Sequence, residues 1–368
     1  MPVTLTSRER LERVMRGLPV DRVPIRLWGV DPLEKPARAV WQPLHDLVND
    51  FALDTIFGWG GDFSAPSYEI REEYRDTADP QWYEQHTTII APAGELTRVF
   101  QHHRGGKPGY IKKCLIETTT DAERWLSLPE SALPDPGSFP ARVAQVGERG
   151  MVLAGLNEPM YAVNDLMGSE LWGLWMYDER ELVHAMVEKM AREIMAILTC
   201  YLDAGVGPLF GWVGPELCIP PLAGPRDFDD FVVRYDKPMI DRIHDAGGLV
   251  WVHCHGDMHP VLERFADLGL DCLNPMEPPP IGKLTLADAK RRVGTRMTLE
   301  GGVEVGAFEL EDANTVAALV ETAMAMGKPG GRYILCPSSD HSHWPEMDTH
   351  IANNYRVFVE TGLRLAEY

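Results

Sequence analysis

From about residue 150 onward one pattern repeats: a short apolar run closes on Gly, Pro or a polar cluster, and a longer stretch with helical spacing follows. The runs cover residues 151–156, 208–213, 249–253, 271–275, 297–301 and 333–337, and the gaps hold helical segments such as 178–200 and 227–244. Strands that alternate with helices cannot be joined by tight hairpins. They must lie parallel, with helices covering both faces of the sheet. An open doubly wound sheet is the competing architecture, but no glycine-rich dinucleotide fingerprint follows an early strand, so the pattern favours a single (β/α)8 TIM-type barrel.

The N-terminal part supports this reading. Thr6 and Glu9 have the spacing of a capping box, and Leu11, Val14, Met15 and Leu18 follow helical periodicity until Gly17 and Pro19 end it. Residues 22–28 read as a first strand entering a Gly-containing loop. The stretch 68–74, then 82–88, with a turn at 93–95, suggests a small β-hairpin excursion on the larger scaffold. A chain of 368 residues exceeds the usual length of one domain, but barrels of this kind routinely do so. Residues 1–368 are therefore expected to form one domain, with 1–22 as an N-terminal helical extension.

Composition excludes several classes of function. The formal net charge is −20, and phosphate recognition needs clustered Lys and Arg, so nucleic acid is not an expected partner. No apolar stretch is long enough for a membrane span, and the opening becomes charged at once, unlike a signal peptide. A cytoplasmic location is expected. The six cysteines follow no repeating spacing and read as thiols or ligands, not as a disulfide framework.

In a parallel barrel the reactive groups sit where strands end, so the tails of the apolar runs are the places to look. His253 and His255 close one run; strand alternation puts both on one face and Cys254 on the other. Two imidazoles so placed can bind one metal ion, and they can equally be a hydrogen-bonded pair that orders the loop. Glu216 ends the preceding run and can be a ligand, a general base or a partner for an imidazole. Cys336, Asp340, His341 and His343 follow the last run: a thiolate, two imidazoles and a carboxylate can make a closed zinc site, Asp340, His341 and His343 can alternatively bind substrate, and Cys336 can equally be an inert buried thiol. Asn157 and Glu158 are candidate substrate contacts at another strand end. Glu277 and Glu300 end two more strands, and Trp28, Trp59 and Trp212 are candidate pocket walls. A nucleophile elbow, a P-loop and a His-Glu-x-x-His helix are all missing from the sequence.

These residues resemble the uroporphyrinogen decarboxylase superfamily. The resemblance rests on residues 6–11 and 17–24 at the opening, 247–256 with the two histidines, 271–278, 299–303 and 333–338, in that order along nearly the whole chain. True uroporphyrinogen decarboxylases carry an Arg-Gln-Ala-Gly-Arg type element near the N-terminus. Here the corresponding strand has Pro24, Ile25, Arg26, Leu27 and Trp28 instead. The resemblance is therefore closer to the methyltransferase branch, whose members move methyl groups between a methylated or methoxylated substrate, a corrinoid protein and a thiol or folate acceptor. Some hold zinc through His-x-Cys and a distant Cys. His253 matches that His, His255 occupies the Cys position, and Cys336 lies near the region of the distant Cys.

The resemblance implies a zinc-dependent methyltransferase or demethylase component for a small methylated, oxygen-bearing compound. Its zinc ligands would be His253 and His255 with Cys336 or Glu216, and Glu216 and Asp340 would carry acid–base roles. Trp28, Asn157, Glu158, Trp212 and His341 would contact substrate, a corrinoid protein would accept the methyl group, and a homodimer is the expected assembly. The alternatives are a decarboxylase or lyase for a small carboxylate, with Glu216 or Asp340 as acid–base groups, and a non-catalytic barrel that serves assembly.

Overall fold

The computed structural model describes residues 4–36, 38–341 and 347–368. Helix Ser7–Met15 opens it with the expected capping box: the Glu9 N–H donates to the Thr6 hydroxyl at 3.2 Å, and the Thr6 N–H donates to the Glu9 carboxylate at 2.8 Å. Leu11, Val14 and Met15 share one face of this helix and are buried against Met151, Leu209, Leu249 and Ile334. Those four residues lie on four different strands, so the helix plugs one end of the sheet's concave side and is more than an appendage. Leu18 falls beyond the helix and is exposed.

Among the described residues, seven strands form one parallel sheet: β1 Thr55–Trp59, then β6 Gly150–Gly155, β7 Leu209–Val213, β8 Leu249–His253, β9 Cys272–Met276, β10 Thr298–Val303 and β11 Tyr333–Pro337, in that spatial order. Six of them match the apolar runs of the sequence. β1 is a strand that those runs do not contain. Every residue of β8, β9 and β11 is buried, as expected of parallel strands covered on both faces. Helices such as Arg180–Asp203, Arg234–Asp245, Ala313–Gly327 and Thr349–Leu365 supply that cover.

Residues 22–28 do not form the regular first strand expected of them. They make an isolated parallel bridge, Ile25 to Leu335 of β11, and on the other side the Asp54 N–H donates to the Ile25 carbonyl at 3.0 Å, just before β1. The physical cause is local. Pro24 has no N–H, and the Ile25 N–H is taken by the Asp54 carboxylate at 3.0 Å, so no continuous ladder can run here. The segment nonetheless touches both edges of the curled sheet.

The excursion after β1 is larger than a hairpin. β2 Ile70–Asp76, β3 Trp82–Ala91, β4 Gly94–His103 and β5 Tyr110–Lys113 form a four-stranded antiparallel sheet in sequential order. The turn between β3 and β4 closes on Gly94, whose φ of +134° favours glycine. No helix among the described residues is long and apolar enough to cross a membrane.

Candidate functional site

Parallel strands place all their C-terminal ends on one side, and the polar residues gather there. The β8 residue His253 stands opposite Asn274 of β9 in the ladder, and its Nδ1–H donates to the Asn274 side-chain oxygen at 2.6 Å. Two residues on, the His255 Nδ1–H donates to Glu277 at 2.9 Å, while the other Glu277 oxygen accepts the Gly256 N–H at 3.1 Å. Both imidazoles thereby carry a proton on Nδ1, and in the neutral form of each ring Nε2 is the lone-pair nitrogen. Their ring centroids are 4.5 Å apart and the rings are nearly perpendicular. Gly256 has φ +113°, and a Cβ there would come within 3.0 Å of Ile219, so the sharp exit from the strand requires glycine. The following helix starts at Leu262.

The two histidines differ electrostatically. Burial lowers the pKa of His253 to about 4, opposed only in part by Asn274. Burial acts in the same direction on His255, but the hydrogen bond and charge of Glu277, together with Glu216, reverse it and raise that pKa. Glu216 leads a short 3-10 turn after β7, and its carboxylate accepts the His255 backbone N–H at 3.3 Å. Burial, reinforced by the nearby Glu277 charge, raises the pKa of Glu216. A carboxyl so placed holds a proton more readily than a solvated one.

Trp28 lies flat over this group, 4.5 Å from the His253 ring and 5.1 Å from Trp251. Of the remaining candidates, Asn157 is exposed at the end of β6. Glu158 is buried and caps helix Pro159–Met167, accepting the Met160 and Tyr161 N–H groups at 3.1 and 2.5 Å. Burial raises its pKa to about 7, opposed by those two donors. Its neighbour Asp236 is equally buried, and burial together with the Glu158 charge pushes that pKa up as well. Two buried carboxyls in contact cannot both ionise, so the pair holds a proton. Trp212 is buried beside Asp236, which gives it a packing environment.

The candidates on and after β11 are three strands from β8 in the sheet. Cys336 is buried next to Glu300, and burial pushes its thiol well above the ordinary range. Asp340 is exposed, its β-carbon close to Gly29, and the Ser339 hydroxyl donates to its carboxylate at 3.3 Å. His341 is buried with its ring edge-on to Tyr355 at 6.3 Å and Nδ1 3.9 Å from Glu309. His343 lies outside the described residues. Trp59 packs on Phe139 and Tyr201 and donates to the Ser138 hydroxyl, away from the histidines. Among the described residues, no three or more His, Cys, Asp or Glu side chains are grouped so as to hold a metal ion.

Sequence reasoning did not assign roles to Asn274, Asp236 or Trp251, and ranked Glu277 low. The signal for Asn274 and Glu277 was their place at the end of the strand after the histidines, where a second acceptor for each imidazole is needed.

A curled parallel sheet of seven strands with polar residues gathered at its strand ends is the geometry of a half-barrel α/β protein. The profile of the uroporphyrinogen decarboxylase (URO-D) family matches residues 141–361, and the chain belongs to that family. It is 23% identical over 201 residues to a uroporphyrinogen decarboxylase of Histophilus somni, covering 50% of this chain and 49% of that protein. A Synechocystis uroporphyrinogen decarboxylase is 23% identical over 247 residues, covering 64% of this chain and 65% of the relative. The chain spans about half the length of the Histophilus relatives it matches. A solved methyltransferase from Methanosarcina mazei superposes with a TM-score of 0.61 at 15% identity, covering 98% of this chain and 99% of the other, and so shares the fold.

Proposed function

We propose that this chain is a zinc-dependent methyltransferase or demethylase component that takes a methyl group from a small methylated, oxygen-bearing compound and passes it to a corrinoid protein. The observation that carries this reading is the pair of imidazoles at the end of β8, each tied through Nδ1 to an acceptor on β9. Metal-binding histidines are oriented in this way, with the second nitrogen left for the ion. His253 and His255 fit as two ligands, and Glu216, already on the His255 backbone, is the best-placed side chain to complete the set. Cys336, buried against Glu300, is a weaker third ligand. Residues 23–26, in contact with β11 and the approach to β1, would act as the eighth stave of a (β/α)8 barrel around the site.

Zinc bound there would polarise the oxygen that carries the methyl group. When the methyl group leaves for the corrinoid acceptor, that oxygen needs a proton. Glu216 would give it only where Cys336, not Glu216, completes the zinc set, because a zinc-bound carboxylate has no proton to donate; burial favours the protonated form of the unbound group. Asn157 and Asp340, both exposed near strand ends, would contact the substrate, and Trp28 would close the floor beneath it.

Elemental analysis of purified protein and of a His253→Ala/His255→Ala variant tests this reading. About one zinc per chain, lost in the variant, is expected. No metal in either protein, even after incubation with zinc, would remove the zinc reading. The family match favours a second reading, a lyase acting on a small carboxylate with Glu216 or Asp340 as the acid–base group. Turnover without any corrinoid protein would select it.

A further inference from the structure

Beneath the histidine pair lies a charged cluster that the proposed chemistry does not use. Glu300 of β10 is fully buried and accepts from two sides: Arg26 donates to one oxygen at 2.7 Å, and the Trp251 indole N–H donates to the other at 2.7 Å. The Cys272 thiol lies 3.7 Å from that second oxygen. The Arg26 guanidinium also sits 5.6 Å above the Trp28 ring and 5.9 Å from the Trp251 ring. Trp28 then lies across both Trp251 and His253, inclined by 19° and 23°. Trp251 and His253 are two residues apart on β8 and share a face, so one indole covers both.

This arrangement spans the sheet. Arg26 and Trp28 come from the segment that touches both sheet edges, whereas β8 is the middle strand of the seven. A purely apolar floor of the same shape would be as stable or more so, because a buried ion pair loses in desolvation much of what it gains in attraction. Directional groups do what apolar ones cannot: they fix where a ring sits and how it is turned. Here the direction runs from Glu300 to the Trp251 N–H, from Trp251 to the Trp28 face, and from Trp28 to the face of His253.

We propose that Glu300 is a positioning residue for His253, acting through the Trp251 and Trp28 indoles to hold the imidazole so that its Nδ1–H stays on Asn274 and its Nε2 faces the strand ends. This extends the proposed function, since it rests on His253 being a working group of the site.

The test uses full-length protein with 15N-labelled histidine rings. The His253 Nδ1–H proton, held at 2.6 Å and buried, is expected to exchange slowly with water. Trp251→Phe removes the N–H that Glu300 holds together with one ring of the indole, and Trp28→Leu removes the covering ring while leaving the ion pair intact. Both should speed exchange of that proton by on the order of tenfold, with the His255 Nδ1–H signal unchanged. Trp28→Phe should restore slow exchange, which a loss of general stability would not explain. Unchanged His253 exchange in folded Trp251→Phe and Trp28→Leu proteins overturns the proposal. Cobalt(II) titration with its visible absorption band, run alongside, separates the two readings. If the unaltered protein binds no cobalt, the metal assignment fails while the proton exchange still decides the positioning role. If it does bind, Trp28→Leu should weaken binding by about tenfold.

Discussion

The Nδ1–H of His253 donates to the Asn274 side-chain oxygen across 2.6 Å, between residues that face each other in the β8–β9 ladder. Because both are buried, this bond sets the tautomer of the ring. Asn274→Leu removes the acceptor and leaves a buried N–H unpaired, at a cost of about 1–3 kcal/mol. It should also weaken zinc binding by about 10–100-fold. Competition with a chromophoric chelator measures the second effect; unchanged affinity would mean that the bond plays no part in ligation.

Removing Glu300 should be far more damaging than its distance from the strand ends suggests. Glu300→Ala leaves Arg26 buried beside no carboxylate, and stranding one partner of such a pair costs about 3–5 kcal/mol. Urea unfolding of this variant and of an Arg26→Met/Glu300→Leu double variant checks the cause. The double variant should recover most of the loss, and equal destabilisation in both would point to lost packing instead.

The helix plug makes a simpler prediction. Leu11 is completely buried against residues from several strands. Leu11→Ala should cost about 2–5 kcal/mol through lost transfer energy and the cavity left behind. The Thr6→Ala variant, which loses the cap and an exposed hydroxyl bond to Glu148, should cost about 1 kcal/mol. Thermal denaturation of the pair should therefore rank Leu11→Ala well below Thr6→Ala.

Stability should respond to pH with two opposed contributions. His253 is lowered from 6.5 to about 4, so its contribution is complete above pH 6.5 and is lost as the pH falls toward 4. Glu158 is raised from 4.5 to about 7, so the folded state keeps a proton that the unfolded chain has lost. Its contribution is complete below pH 4.5 and is lost as the pH rises through 7. Relative to the unaltered protein, Glu158→Gln should become progressively more stable between pH 4.5 and 7. A constant difference across that window, read from urea midpoints, would show that Glu158 titrates normally.

Much of this molecule was legible in its sequence, for physical reasons that also explain what was not. Parallel strands buried on both faces are apolar without interruption, so β6 through β11 declared themselves as runs, and the capping box at Thr6 is a purely local signal. The excursion was read too small because β2 is exposed along its length and β3 is half-buried up to its last residue, which leaves no apolar face to count. The histidine pair could be placed on one face from strand alternation alone. Its partners could not, since Arg26 and Glu300 are 274 residues apart and meet only once the sheet curls. Trp28 was expected as a pocket wall, and the ring it covers belongs to His253.

The bridge between Ile25 and Leu335, and the seat of Leu11, Val14 and Met15 on β6, β7, β8 and β11, have a consequence for how the protein is made. Helix Ser7–Met15 leaves the ribosome long before its resting place is complete, since part of that place is built by Ile334, more than three hundred residues behind it. Throughout translation its apolar face has no complete seat, and the sheet has an unsealed seam where residues 23–26 will dock. A growing chain of this protein is therefore expected to depend on chaperone cover until β11 emerges, and to complete its interior in one late, cooperative step.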